Sequence, residues 1–250
     1  MSISTVAIVT GASKGLGRSL ALKLLNPDTL VVTLARSQND DLRAQAAHLA
    51  SPLHQHPVDL ANAESAEQAA ESIMASLPRS AKRYLLINNA GTVDPVLSAD
   101  KLNNAAAITS AFSLNIISVM LLTAAFLNHT KDLAADRRIL NISSGAGRSA
   151  TAGWGVYCAT KAALDRYSQA VDAERHGVRI VSIAPGVINT AMQEHIRASD
   201  PENFPNRARF VKLHEQHQLA SPEAVAAKLL HYVGRDDFGT TVLDDIRNYA

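Results

Sequence analysis

Short β-branched and aliphatic runs alternate along this chain with longer stretches rich in Ala, Leu and Glu, and that alternation restricts the possible folds most. The apolar runs are Thr5–Thr10, Leu30–Leu34, Tyr84–Ile87, Arg138–Ile142 and Val178–Ile183. Between them, Gly15–Leu25, Asp40–Ala50, Glu64–Leu77, Leu102–His129 and Val156–Arg175 carry helical spacing. Strands that are apolar at nearly every position are buried on both faces, and strands separated by helices are joined in parallel. Leu53–Val58 is a poorer strand candidate, because Pro57 cannot donate to a ladder. The pattern reads βαβαβ twice. It predicts an α/β fold: a single doubly wound parallel sheet of Rossmann type, helices on both faces, in one domain over residues 1–250.

Composition removes several function classes. The 24 basic residues nearly match the 23 acidic ones, and no long block of one sign occurs, so nothing in the charge drives the chain to nucleic acid or a membrane surface. Ile116–Leu127, the most apolar run, is about a dozen residues and shorter than a bilayer span. The N-terminus runs into the first strand without a basic leader, and the lone Cys158 has no partner for a disulfide. The expectation is a soluble cytoplasmic protein. Residues 190–221 are irregular, charged and interrupted by Pro201 and Pro205. Ligands of doubly wound sheets bind beyond the C-terminal strand ends, so this excursion is expected to be a substrate lid; a surface insertion is the alternative.

Seven of the 12 glycines fall within residues 11–17 and 145–155. The first group, Gly11, Gly15 and Gly17 in TGASKGLG, stands between a strand and a helix. Small residues let the backbone approach a ligand, and the helix N-terminus offers free N–H groups, which suits a pyrophosphate. Ser13, Lys14 and Leu16 complete that turn. Where a dinucleotide site for NAD places an acid, the end of the second strand reads LARSQ, with Arg36 and Ser37. Asp40 and Asp41 follow as first-turn residues of the next helix. Arg36 with Lys14 favours a 2′-phosphate, hence NADP(H).

Tyr157 and Lys161 lie four residues apart on one helix, so both project from one face. The ammonium would ease loss of the tyrosine proton. Ser144 follows a strand, placed to polarise a carbonyl while the tyrosine donates to it.

Together these motifs make the chain resemble the short-chain dehydrogenase/reductase family over essentially its whole length. The matching segments are TGASKGLG, Asp59-Leu60, NNAG at 88–91, Asn115, Ser144, Tyr157 with Lys161, and PGVINT from Pro185 and Gly186 to Thr190. The resemblance implies that Asp59 contacts the adenine amine, Leu60 packs on adenine, and Asn89, Ala90 and Gly91 line the adenosine. It also implies that Ile188 and Thr190 meet the nicotinamide carboxamide, that the pro-S hydride is transferred, and that Asn115 holds a water linking Lys161 to solvent. The stretch GWGVYCATKAALD resembles the sepiapterin reductase and benzil reductase branch, and so does the tail FGTTVLDD. In that branch an Asp at the tail holds a polar substrate group. Asp244 is expected to be that acid, with Asp245 solvated, and Trp154 to form a pocket wall.

The expected function is an NADPH-dependent reductase of a small ketone or diketone, aromatic or pterin-like. A 3-oxoacyl carrier protein reductase, suggested by Arg207, Arg209 and Lys212, and a non-catalytic NADPH sensor are the alternatives. His54 with His56, and His214 with His217, lack the further ligands of a metal site, so no metal is expected. The helix around Ile116–Leu127 is apolar nearly all round, which points to a homodimer or homotetramer.

Overall fold

A computed structural model describes residues 3–249. Its centre is a seven-stranded sheet in the order β3-β2-β1-β4-β5-β6-β7, and every neighbouring pair is parallel. The strands are β1 Thr5–Thr10, β2 Thr29–Ala35, β3 Leu53–Pro57, β4 Arg83–Asn88, β5 Asp136–Ile142, β6 Arg179–Ala184 and β7 Leu243–Asp245. The strand order reverses between β1 and β4, the point where doubly wound sheets open a crevice for ligands.

Strand alternation divides the core in two. Ala7, Val9, Leu85, Ile87, Leu140 and Ile142 face one layer, formed by helices α1 (Gly15–Leu24), α2 (Asp40–His48) and α9 (Pro222–Gly234). Val6, Ile8, Tyr84, Leu86 and Ile139 face the other, where α3 (Ala63–Ser76), α5 (Ser118–Thr130) and α6 (Gly155–Ala173) pack. Side-chain caps set four helix starts: Asn39 accepts from Leu42 N–H, Asn62 from Ser65 N–H, Asn104 from Ala107 N–H and Ser221 from Ala224 N–H. Helix α1 has no such cap at Lys14.

Three regions depart from the expectations. The β3 strand forms despite Pro57, because it is the sheet edge and Pro57 is its last residue. The helix expected over Leu102–His129 is α4 (Ala105–Phe112), a π turn at Ser113–Ile117 and then α5. The run Ala105–Thr130 is long and apolar enough to cross a membrane, yet half of it is buried inside the fold. The segment 190–221 also holds two helices, α7 (Ala191–Ala198) and α8 (Arg207–Glu215).

The fourth departure corrects a residue. Asp244 does not offer a free carboxylate at a pocket mouth; it is buried on β7. Its carboxylate accepts from the Tyr232 hydroxyl at 3.0 Å, the Asn248 amide at 3.1 Å, the Asp245 N–H at 2.8 Å and the Tyr249 hydroxyl. Tyr232 lies on α9, so strand alternation turns Asp244 toward that helix and the chain's own donors saturate it. Asp245 is not simply solvated either, since Arg247 pairs with it. Asp244→Ala should lower the unfolding free energy by roughly 2–3 kcal/mol in urea titrations, because buried hydroxyls lose a charged acceptor. Turnover should change by the same factor for substrates with and without an amino group.

Candidate active site

The C-terminal ends of β1, β4 and β5 bring the predicted residues to one edge. Gly11 adopts a left-handed φ of +69°, and a Cβ there would lie 2.9 Å from the Ala90 Cα. A Cβ on Gly17 would stand 2.3 Å from the Gly11 carbonyl oxygen and 2.5 Å from the Asn89 amide. Glycine is therefore required where the loop after β1 meets the NNAG segment after β4. Thr10 locks the two together: its hydroxyl accepts the N–H groups of Asn89 and Ala90, each at 2.9 Å. Its carbonyl accepts from the Asn89 side chain at 2.9 Å. From the far side, a Cβ on Gly15 would come within 3.3 Å of Thr190, so PGVINT closes over the same loop. The uncapped N-terminus of α1 has no acid in its first turn. Free N–H groups and a cradle too tight for a Cβ fit the pyrophosphate of a dinucleotide.

Charge at the end of β2 is equally specific. Asp41 pairs with Arg18, and Asp40 with Arg43 at 2.9 Å. Arg36, Ser37 and Lys14 are exposed, and among the described residues the Arg36 and Lys14 side chains make no hydrogen bond or ion pair. The nearby carboxylates are thus occupied while two cations flank the glycine turn. Asp59 is exposed just beyond β3, its carboxylate accepting the Ala61 N–H at 3.0 Å, and Leu60 beside it is buried.

Tyr157 and Lys161 project from the first turns of α6 toward the end of β5. The Lys161 ammonium is buried, donates to the Ile142 carbonyl at 2.8 Å and lies 5.8 Å from the centre of the Tyr157 ring. Burial pushes its pKa down to about 8, against the opposing charge of Asp165. Burial raises the Tyr157 phenol, and the Ser144 hydroxyl acts in the other direction. Ser144 follows β5 and its hydroxyl accepts the Ala146 N–H at 3.2 Å. Ser144, Tyr157 and Lys161 are therefore gathered as expected from their spacing.

Asn115 is buried in the π turn, but its side chain is engaged by the chain itself. Its oxygen accepts the Thr92 N–H at 2.8 Å, and its amide donates to the Thr92 carbonyl at 2.8 Å and the Thr160 hydroxyl at 3.0 Å. It braces the loop after β4 against α6, and a water in this region would need other partners than the amide N–H groups. A Cβ on Gly91 would lie 3.2 Å from the Asn115 oxygen and 3.7 Å from the Lys161 nitrogen, so all three segments converge.

Of the cover over this group, sequence reasoning named Trp154 and the 190–221 excursion but not Phe204 and Phe210. Trp154 packs edge-on against Tyr157, with ring centres 5.4 Å apart, and stacks on Phe204 at 4.8 Å. Phe210 of α8 closes the cluster at 5.4 Å from Trp154. Gly153 has φ +83°, and a Cβ on it would strike the Asn203 carbonyl at 2.2 Å. The only sequence signal was the pair of aromatics in an otherwise polar excursion. Among the described residues no three His, Cys, Asp or Glu side chains gather to hold a metal.

Comparison with known proteins agrees with this geometry. The family model described as short chain dehydrogenase matches residues 5–201. Benzil reductase ((S)-benzoin forming) of Bacillus cereus is 38% identical over 236 residues, covering 92% of this chain and 94% of that protein. Sepiapterin reductase of Rattus norvegicus is 37% identical over 246 residues, covering 93% and 92%. The crystal structure of the KRED1-Pglu enzyme superposes with a TM-score of 0.81 at 28% identity, covering 95% of this chain and 99% of that one. A short chain dehydrogenase of Shigella flexneri complexed with NADP has a TM-score of 0.76 at 25% identity, covering 98% of both. With its glycine cradle, its Ser144–Tyr157–Lys161 group and a family match over most of its length, the chain belongs to the short-chain dehydrogenase family.

Proposed function

We propose that the chain is an NADPH-dependent carbonyl reductase of small ketones or diketones, with an aromatic or pterin-like substrate. The observation that carries this reading is the buried Tyr157–Lys161 pair beside Ser144 at the sheet's C-terminal edge. The similar proteins named benzil reductase and sepiapterin reductase support the substrate class. The reduced nicotinamide supplies a hydride to the carbonyl carbon when it is bound. Ser144 donates a hydrogen bond to the carbonyl oxygen, and Tyr157 delivers its phenolic proton to that oxygen. Lys161 holds a positive charge beside the phenolate that remains. Asn115 keeps the Thr92 loop and Thr160 in register with that group.

For the cofactor, Gly11, Ser13, Gly15, Leu16 and Gly17 form the pyrophosphate cradle, and Arg36 with Lys14 would hold a 2′-phosphate. Asp59, Leu60 and residues 89–91 are assigned to the adenosine, and Pro185, Gly186, Ile188 and Thr190 to the nicotinamide end. Residues 190–221 form the lid, and Trp154 is the pocket wall facing it. Ile117 and Met120 remain exposed on the apolar Ala105–Thr130 run, which supports association of copies as a homodimer or homotetramer. The lone, unpaired Cys158 supports a cytoplasmic setting.

Tyr157→Phe should cut benzil reduction by about a hundredfold or more in an NADPH absorbance assay, with cofactor affinity nearly unchanged. In the native protein, reduction should fall as pH rises through about 8, where Lys161 loses its proton and the phenolate loses its stabilising charge. Below that pH both Lys161 and Tyr157 carry their protons and the rate should level off. Arg36→Asp should weaken NADPH more than about tenfold in fluorescence titrations, since a charge-assisted bond contributes roughly 1.5–3 kcal/mol. NADH binding should be unchanged or improved; equal loss for both would remove Arg36 from the site.

A further inference from the structure

One buried carboxylate has no part in the chemistry above. Asp165 lies one turn beyond Lys161 on the same inward face of α6 and is 4% exposed. A carboxylate taken out of water needs partners, and Asp165 has two. Arg148 donates to it through Nε at 3.0 Å, and the Ser182 hydroxyl of β6 donates at 2.6 Å. The two remaining Arg148 nitrogens reach the Asp244 carbonyl of β7 at 2.9 Å and the Ser182 carbonyl at 3.0 Å. Arg148 itself stands four residues after Ser144, at the end of the same short loop. That loop touches the helix a second time: a Cβ on Gly147 would lie 2.8 Å from the backbone carbonyl of Lys161. The Ser144 loop is thus pressed onto α6 at the catalytic lysine and bolted one turn further on.

Resting on the Tyr157–Lys161 reading, we propose that Asp165 is a positioning residue that acts in two ways. Through Arg148 it fixes Ser144 relative to Tyr157, and through its charge it keeps Lys161 in the ammonium form. The groups around Lys161 make this assignment specific. On its own helix they are Tyr157, Cys158 and Asp165. The loop after β5 contributes Arg148, and β5 contributes only the Ile142 carbonyl. From the side of the loop after β4 come Gly91 and Asn115, neither of them ionisable. Ser182 is the β6 contribution, and Asp245 on β7 faces Arg148, with its own partner in Arg247. Asp165, one helical turn away, is the carboxylate whose charge acts on Lys161, and Arg148 is the cation paired with it.

Opposite changes at these two positions should move the pH dependence in opposite directions. The test follows benzil reduction at saturating NADPH across pH, with thermal unfolding in parallel, for Asp165→Asn, Asp165→Glu, Arg148→Met and Tyr157→Phe. Asp165→Asn should lower kcat about tenfold and leave the KM for benzil within about twofold. Its alkaline limb should move down by about half a pH unit or more, because both the ammonium and the neutral phenol lose a nearby negative charge. Arg148→Met should also lower kcat but move that limb up, since the Asp165 charge is no longer offset. Asp165→Glu should recover most of the turnover and the native limb. If Asp165→Asn does not fold, the upward move in Arg148→Met decides alone. Lost thermal stability with the limb unmoved in both variants would make the cluster a structural bolt and overturn the proposal. Retained turnover in Tyr157→Phe would overturn the Tyr157–Lys161 reading and this inference with it; an inactive Tyr157→Phe beside an unmoved limb would overturn this inference alone.

Discussion

An ammonium group buried at the end of a β-strand is the constraint around which the rest of this molecule is arranged. Lys161 is removed from water, and the Ile142 carbonyl can accept from it only if α6 keeps its rotation and height above β5. The inward face of α6 is accordingly polar. Tyr157, Lys161, Asp165 and Ser168 follow one another at three- and four-residue intervals, and each of them is buried. Each of the last three has a fixed partner on or beside the sheet. Ser168 accepts from Asn141 at 2.9 Å, and Asn141 in turn accepts from Asn88 on β4 at 2.8 Å. A helix held by apolar contacts alone could slide; one held by polar bonds at several heights has a single register.

The same logic explains where glycine and asparagine occur. Segments after β4 and β5 must approach Lys161, and the loop after β1 must pack against the segment after β4. A Cβ on Gly17 or Gly147 would fall within 3 Å of neighbouring backbone, and one on Gly91 would press on the Asn115 oxygen at 3.2 Å. Asn89 and Asn115 then supply amides that satisfy backbone carbonyls at the end of β1 and in the loop after β4.

Local features made most of this readable before any coordinates. Continuous apolar strands, the glycine turn and the Tyr157–Lys161 spacing are each determined within a few residues, so five strands and the placing of Ser144, Tyr157 and Lys161 at one edge follow from sequence, while β3 is the poorer candidate. What escaped depends on contacts far apart in the chain. Asp244 carries no mark distinguishing it from Asp245; its burial is decided by Tyr232 and Tyr249, twelve residues before and five after it. Arg148 likewise reads as a loop cation until its bonds to the Ser182 carbonyl of β6 and the Asp244 carbonyl of β7 are seen. The π turn is invisible because Ser113–Ile117 has ordinary helical composition, and helices α7 and α8 are short segments whose Phe204 and Phe210 cover depends on Trp154.

The aromatic cover has a consequence for access. Tyr157 is only 8% exposed beneath it, Trp154 only 7%, and Phe204 is sealed completely. From the side of the cover, a ring-bearing ketone reaches the phenol only when those stacked faces part. Parting them exposes aromatic surface, and each such side chain buries about 150–250 Å². A smaller residue in place of Phe204 would leave one of those faces uncovered and loosen the choice of guest.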